Sequence, residues 1–157
     1  MTSQELEESG FISTPSGVKL FWCRRHAPKT RAVALLLHGF GEHCGRYDAF
    51  VGRLANLGIS TVRYDHRGHG QSEGRRGHVN AFSEYLDDFD ILFEHAFDDA
   101  PANIARAVLG HSYGGLIATH ALARKKRDIH TLCLSSPFFG FALEVPAIKR
   151  FLGSIMT

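Results

Sequence analysis

The sequence predicts a single α/β domain built on a mostly parallel sheet. Three observations carry that prediction. Short apolar runs at residues 32–37, 59–64, 104–109 and 131–134 alternate with segments of helical periodicity, the pattern of helices layered on a parallel sheet. The first of these runs, AVALLL, is apolar without alternation, which suits a strand buried on both faces. The length of 157 residues, with 44% hydrophobic and 22% charged positions, fits one globular domain able to bury a real core and excludes a disordered or fibrous chain.

Residues 1–10 are polar and acidic. They are expected to form a disordered tail, and without a basic start or an apolar stretch they do not read as a signal peptide. Residues 11–13 and 19–25 flank Thr14-Pro15-Ser16-Gly17, a turn signal, and predict a hairpin. The run 32–37 is a strand that ends at His38-Gly39. Tyr47, Phe50, Val51 and Leu54 repeat at helical spacing, with Gly58 as the stop. Residues 59–64 form the next strand. Ser83 is expected to N-cap a helix whose apolar stripe is Tyr85, Leu86, Phe89, Leu92, Phe93, Ala96 and Phe97. Its other face carries Asp87, Asp90, Glu94 and Asp98, and Pro101 lies beyond its end. A strand at 104–109, a helix at 113–125 and a strand at 131–134 complete the order β-β-β-α-β-α-β-α-β. The expected sheet has six strands, the hairpin antiparallel and the rest parallel.

Charge and cysteine usage narrow the function classes. Eighteen Lys+Arg against sixteen Asp+Glu leave a formal +2, too weak to imply a nucleic-acid or membrane-surface binder by charge. Cys23, Cys44 and Cys133 are odd in number, far apart in the chain and form no CxxC. Neither a disulfide framework nor a zinc site is expected, and a reducing compartment, hence the cytoplasm, fits best. No apolar run approaches the ~20 residues that a bilayer span needs.

Ligands on a parallel sheet gather at the carboxyl ends of its strands. After the strand 104–109 comes Gly110-His111-Ser112-Tyr113-Gly114-Gly115, which matches the G-x-S-x-G nucleophile elbow. A turn this sharp between strand and helix strains the serine backbone. Side chains at Gly110 and Gly114 would strike the turn or the neighbouring strand, so both positions lose their Cβ. The hydroxyl is then held over a helix N-terminus, which favours negative charge. After the strand 32–37 comes His38-Gly39-Phe40-Gly41-Glu42-His43. The backbone amides of Phe40 and Tyr113 are the expected oxyanion donors. His66 and His69 stand at i, i+3 but lack a third ligand nearby, so a structural loop role is expected, with no metal and no cofactor.

These segments, with Arg46-Tyr47 and the stretch Tyr64-Asp65-His66-Arg67-Gly68-His69-Gly70-Gln71-Ser72-Glu73-Gly74, resemble the monoacylglycerol lipase and lysophospholipase branch of the serine α/β-hydrolases. The resemblance runs over residues 11–141. It implies that this span is the N-terminal part of an α/β-hydrolase domain and that 142–157 begin a lid. It places Glu42 and Arg46 where the branch contacts an alcohol head group, although the two also read as a surface ion pair one turn apart. Tyr113 replaces the methionine common at that position. The lid would be apolar through Val145, Ile148, Phe151, Leu152, Ile155 and Met156, with Pro146 in the first turn.

In such enzymes the acid and the base follow the serine in chain order. Downstream, His120 lies eight residues along a helix, about 12 Å away. Asp128 and His130 precede a strand and so lie at the opposite end of the sheet. Glu144 lies in the lid start. Upstream, His38, His43 and His78 are near the correct face, but the family gives none of them the role of base. The expectation is therefore a serine ester hydrolase acting on monoacylglycerols or lysophospholipids through an acyl-enzyme on Ser112. This chain would carry the nucleophile and oxyanion half, lack the acid and the base, and be inactive alone. A proline iminopeptidase-like serine peptidase and a non-catalytic binding protein on a truncated hydrolase scaffold are the alternatives. Expected partners are a small lipid ester, a membrane surface touched by the lid, and a second copy through an exposed edge strand; no nucleic acid is expected.

Overall fold

A computed structural model describes residues 7–101 and 103–140. The element order is the expected one: β1 Glu7–Ser13, β2 Lys19–Arg25, β3 Ala32–Leu37, a 3₁₀ turn Cys44–Tyr47 running into α1 Asp48–Asn56, β4 Ile59–Tyr64, α2 Ser83–Phe97, β5 Ala105–His111, α3 Tyr113–Arg124 and β6 Thr131–Ser135. The six strands form one sheet in the order β1-β2-β4-β3-β5-β6. The hairpin is antiparallel to itself and to β4. The pairs β3–β4, β3–β5 and β5–β6 are parallel.

Central β3 is buried from Val33 to Leu37, as its unbroken apolar run requires. The stripe of α2 packs on it: Tyr85, Phe89, Leu92, Phe93 and Phe97 join Leu35, Leu37, Val62, Val108 and Ile117 in one core. The acidic face of α2 is not simply solvated. Asp87 and Asp90 accept hydrogen bonds from Arg124, and Glu94 from Arg127. The first helix stops as read, with Gly58 at φ +81 after the C-cap Leu57.

Two expectations are corrected. Strand β1 starts at Glu7, so residues 7–10 are not tail. Their polar side chains pair across the hairpin, where Glu7 and Glu8 lie opposite Arg25 and Arg24. Ser83 does not cap α2 either; it is the first helical residue. The amides of Asn80 and Ala81 donate instead to the carboxylate of Glu84, which reaches back from inside the first turn. The remaining tail residues, 1–6, and the expected lid, 142–157, lie outside the described residues. No helix among the described residues is long and apolar enough to cross a membrane.

Candidate active site

Ser112 joins β5 directly to α3, with φ 50 and ψ −114. A non-glycine residue at positive φ is strained by about 1–3 kcal/mol and persists only where its surroundings hold it. Here both backbone groups of Ser112 are held. Its N–H donates to the Ser135 carbonyl at 2.9 Å, and its carbonyl accepts from Phe138 N–H at 3.0 Å. The end of β6 thus clamps the turn.

The glycines around it are required by contact. A Cβ on Gly110 would sit 2.7 Å from Gly115 Cα, and one on Gly114 would sit 2.5 Å from the carbonyl oxygens of both Leu37 and His38. Gly115 faces Pro137, and a Cβ there would lie only 3.0 Å from Pro137 Cβ. The elbow therefore presses against the carboxyl end of β3 on one side and the segment after β6 on the other.

The Gly39–Phe40 loop lies on the same side as Ser112. A Cβ on Gly39 would come within 3.3 Å of Ser112 Cβ. Glu42 braces this loop: its Oε2 accepts from Gly39 N–H at 3.0 Å and from Tyr47 O–H at 2.7 Å, and its Oε1 meets Arg46 Nε at 3.1 Å. Burial raises the Glu42 pKa, but the Tyr47 hydroxyl, the Gly39 amide and Arg46 outweigh it and hold the carboxyl below the usual range. Neither Phe40 N–H nor Tyr113 N–H has a hydrogen-bond acceptor among the described residues. Tyr113 is the first residue of α3, where an amide has no intrahelical partner. Two free donors and an uncapped serine hydroxyl therefore share one corner of the molecule.

An aromatic wall rises beside that corner. The Phe40 ring, 59% exposed, meets Tyr113 at 5.7 Å and His69 at 5.2 Å, and Tyr113 continues to Tyr85 at 5.5 Å and Phe82 at 6.2 Å.

His38 and His66 belong to the scaffold of the sheet. His38 is fully buried; its Nδ1 donates to Gly39 O at 2.7 Å and its Nε2 accepts from His66 N–H at 3.0 Å. Burial, only partly opposed by the Gly39 carbonyl, pulls its pKa down to about 4. His66 donates from Nε2 to His38 O at 2.9 Å, and burial keeps it neutral too. These rings tie the carboxyl ends of β3 and β4 together. Downstream, His130 Nδ1 accepts from Arg106 N–H and Asp128 pairs with Arg106, both at the far end of β5. His120 packs on Phe82 at 5.3 Å. Among the described residues no imidazole or carboxylate hydrogen-bonds to the Ser112 hydroxyl, and no group of three metal-ligating side chains occurs.

Sequence reading missed the supports. Tyr47, which the sequence marks as a helix-stripe residue and as part of the Arg46-Tyr47 resemblance, orients Glu42. Asp65, fully buried, accepts from Cys44 N–H at 2.6 Å and Gln71 N–H at 2.7 Å and so ties the loop after β3 to the loop after β4. The Gly70 backbone passes so close that a Cβ there would lie 2.0 Å from Asp65 Oδ2. The run Tyr64-Asp65-His66-Arg67-Gly68-His69-Gly70 signalled that stretch as unusual, but not what it holds.

Residues 28–157 match the family described as "Serine aminopeptidase, S33" (Hydrolase_4). The chain is 37% identical over 129 residues to the monoacylglycerol lipase of Mycolicibacterium smegmatis, an alignment covering 80% of this chain and 46% of that protein. Among solved structures, the α/β hydrolase GrgF from a Penicillium species superposes with a TM-score of 0.77 at 19% identity, covering 96% of this chain and 52% of the other. The monoacylglycerol lipase of Paleococcus ferrophilus gives 0.70 at 27% identity, covering 87% and 50%. The chain thus spans about half the length of the relatives it matches.

Proposed function

From the premise that the chain belongs to the serine aminopeptidase S33 (Hydrolase_4) family and has the α/β-hydrolase fold, we propose that it is the nucleophile-bearing part of a serine ester hydrolase acting on monoacylglycerols or lysophospholipids. Ser112 Oγ attacks the ester carbonyl carbon. The carbonyl oxygen gains negative charge and is met by the N–H groups of Phe40 and Tyr113. The tetrahedral intermediate collapses to an acyl-enzyme and frees the alcohol, and water then releases the fatty acid. The observation that carries this reading is the strained backbone of Ser112 (φ 50) at a strand–helix junction, beside two amides without acceptors. A strain of this kind is tolerated where it aims a reactive group.

A serine needs a base oriented by an acid. No described histidine hydrogen-bonds to the Ser112 hydroxyl, and His38 and His66 are spent on each other and held neutral by burial. The base and the acid are proposed to come from outside the described residues. Glu42 and Arg46 meet the head group in this reading, with Glu42 also bracing the loop that carries Phe40. The Phe40–Tyr113 wall offers an apolar surface to the acyl chain.

The test is labelling by a fluorophosphonate together with hydrolysis of monoacylglycerol and lysophospholipid. A form carrying sequence beyond Thr157 is expected to label at Ser112 and to turn over ester, and both are lost in Ser112→Ala. The 157-residue chain alone is expected to show only residual turnover, since loss of triad partners leaves the oxyanion hole and binding to act alone. Label at another residue, or preferential cleavage of an N-terminal prolyl peptide by the longer form, overturns the reading.

A further inference from the structure

Two thiols outside the candidate active site lie together. Cys23 is the central part of β2, and Cys44 opens the 3₁₀ turn that follows the glycine loop. In the antiparallel pairing of β2 with β4, Cys23 stands opposite Arg63, so the two side chains leave the sheet on one face. It is the face that α1 covers, for Arg63 Nη2 donates to Asp48 Oδ1 at 2.7 Å. Asp65 follows two residues after Arg63 on the same face and fixes Cys44 through its amide at 2.6 Å. The Cys23 and Cys44 side chains thus come to lie beside each other and beside Arg63.

A second observation concerns Arg63. Its side chain is only 3% exposed, and Glu7 and Asp48 both engage Nη2. Its Nε and Nη1 are buried without a hydrogen-bond partner. A buried guanidinium with unspent N–H groups favours a neighbouring anion. Cys23, partly open to solvent, is that neighbour, whereas Cys44 is buried.

We propose that Cys23 and Cys44 form a peroxide-reactive dithiol site, Cys23 attacking and Cys44 resolving. The neighbouring Cys44 thiol, helped by Arg63 and opposed by burial, lowers the Cys23 pKa. Its thiolate attacks one oxygen of hydrogen peroxide; the O–O bond breaks, hydroxide leaves, and Cys23 becomes a sulfenic acid. Before this step the Cys23 sulfur and burial hold the Cys44 pKa up. Oxidation removes the anionic neighbour, and Cys44 gives its proton to the hydroxide, forming water. The Cys44 thiolate attacks the Cys23 sulfur, the S–O bond breaks and the S–S bond forms. The departing hydroxide takes the proton that Cys23 released on ionising. Two thiols and one hydrogen peroxide give one disulfide and two waters. The new bond would clamp β2 to the turn that carries Tyr47. Cys133, exposed on β6, has neither neighbour and serves as an internal control.

The test uses the full 157-residue chain and a few-fold excess of hydrogen peroxide. Free thiols, counted after denaturation, are expected to fall from three to one. Non-reducing peptide mapping should find the Cys23 and Cys44 peptides joined and two hydrogens lighter. Cys23 should react at least tenfold faster than Cys133. In Cys44→Ser, or in Cys44→Ala should the serine variant fail to fold, Cys23 should stop at a sulfenic acid captured by dimedone. In Cys23→Ser, Cys44 should stay reduced at the same dose. Reaction of Cys133 as fast as Cys23, or oxidation without a Cys23–Cys44 crosslink in the wild-type chain, overturns the proposal.

Discussion

Gly114→Ala tests the packing of the elbow against the central strand. The added Cβ would lie 2.5 Å from the carbonyl oxygens of Leu37 and His38. Both atoms are backbone. Leu37 is paired on both sides, with Tyr64 in β4 and Gly110 in β5, so the carbonyls cannot swing away without breaking the middle of the sheet. Overpacking in a tight core costs about 1–3 kcal/mol, and the rigidity here puts this case at about 3. Replacing glycine by alanine in a helix returns about 0.8–1 kcal/mol, leaving a net loss of about 2 kcal/mol. For a domain of this size that lowers Tm by about 4–8 °C. Gly52→Ala is the control: it lies inside α1 with nothing within 4 Å of a new Cβ, so it collects the helix gain without the clash. The two variants should therefore differ by about 3 kcal/mol in urea unfolding, with Gly52→Ala above wild type and Gly114→Ala below it. If the two agree within about 0.5 kcal/mol, the elbow does not press on β3 and the stated reason for a glycine at 114 is wrong.

Three further outcomes follow from the same structure. Arg67 donates to both oxygens of buried Asp88 at 2.6 Å and to Glu84 at 2.8 Å, so Arg67→Ala should cost about 3–5 kcal/mol by stranding a buried carboxylate; the double variant Arg67→Met/Asp88→Leu should recover most of it in urea titrations, and equal losses in both would refute the pairing argument. The His38 pKa falls from 6.5 to about 4 on folding, so the unfolded chain binds more protons below pH 6.5 and stability drops as the pH falls from there towards 4; the loss should reach about 2 kcal/mol by pH 5, and a His38→Asn variant with an undiminished pH slope would show that another group is responsible. Every residue of β6 is exposed, and an open groove of about 370 Å³ lined by Phe50, Leu109 and Leu134 runs beside it; the 157-residue chain is expected to self-associate through this edge, and Leu132→Lys/Leu134→Lys should shift sizing chromatography towards monomer, whereas a wild-type chain that is already monomeric would remove the idea.

The legible parts of this fold are those in which one short segment carries its own reason. The run AVALLL needs two covered faces and becomes the central strand. Gly58 at φ +81 stops α1 where a side chain would be strained. Gly110, Gly114 and Ser112 announce a turn that only small residues allow. What could not be read is what acts across distance. Glu7 and Glu8 look like a solvated tail until Arg24 and Arg25 are placed opposite them. Cys23 and Cys44, 21 positions apart, meet only because β2 pairs with β4 in one register and Asp65 fixes the turn above it. The same division runs through the elbow. Its glycines permit the strained serine, and these are local and visible. The groups that enforce it, Ser135 O and Phe138 N–H, come from the carboxyl end of the neighbouring strand β6 and the segment after it, 23 and 26 positions on in the chain. Permission without enforcement would let Ser112 relax to negative φ and turn its hydroxyl away from the Phe40 and Tyr113 amides. The reactive geometry is therefore a property of the β5–β6 pairing as much as of the G-x-S-x-G sequence, and perturbing the exposed edge strand should reach the serine although, among the described residues, no side chain of β6 hydrogen-bonds to its hydroxyl.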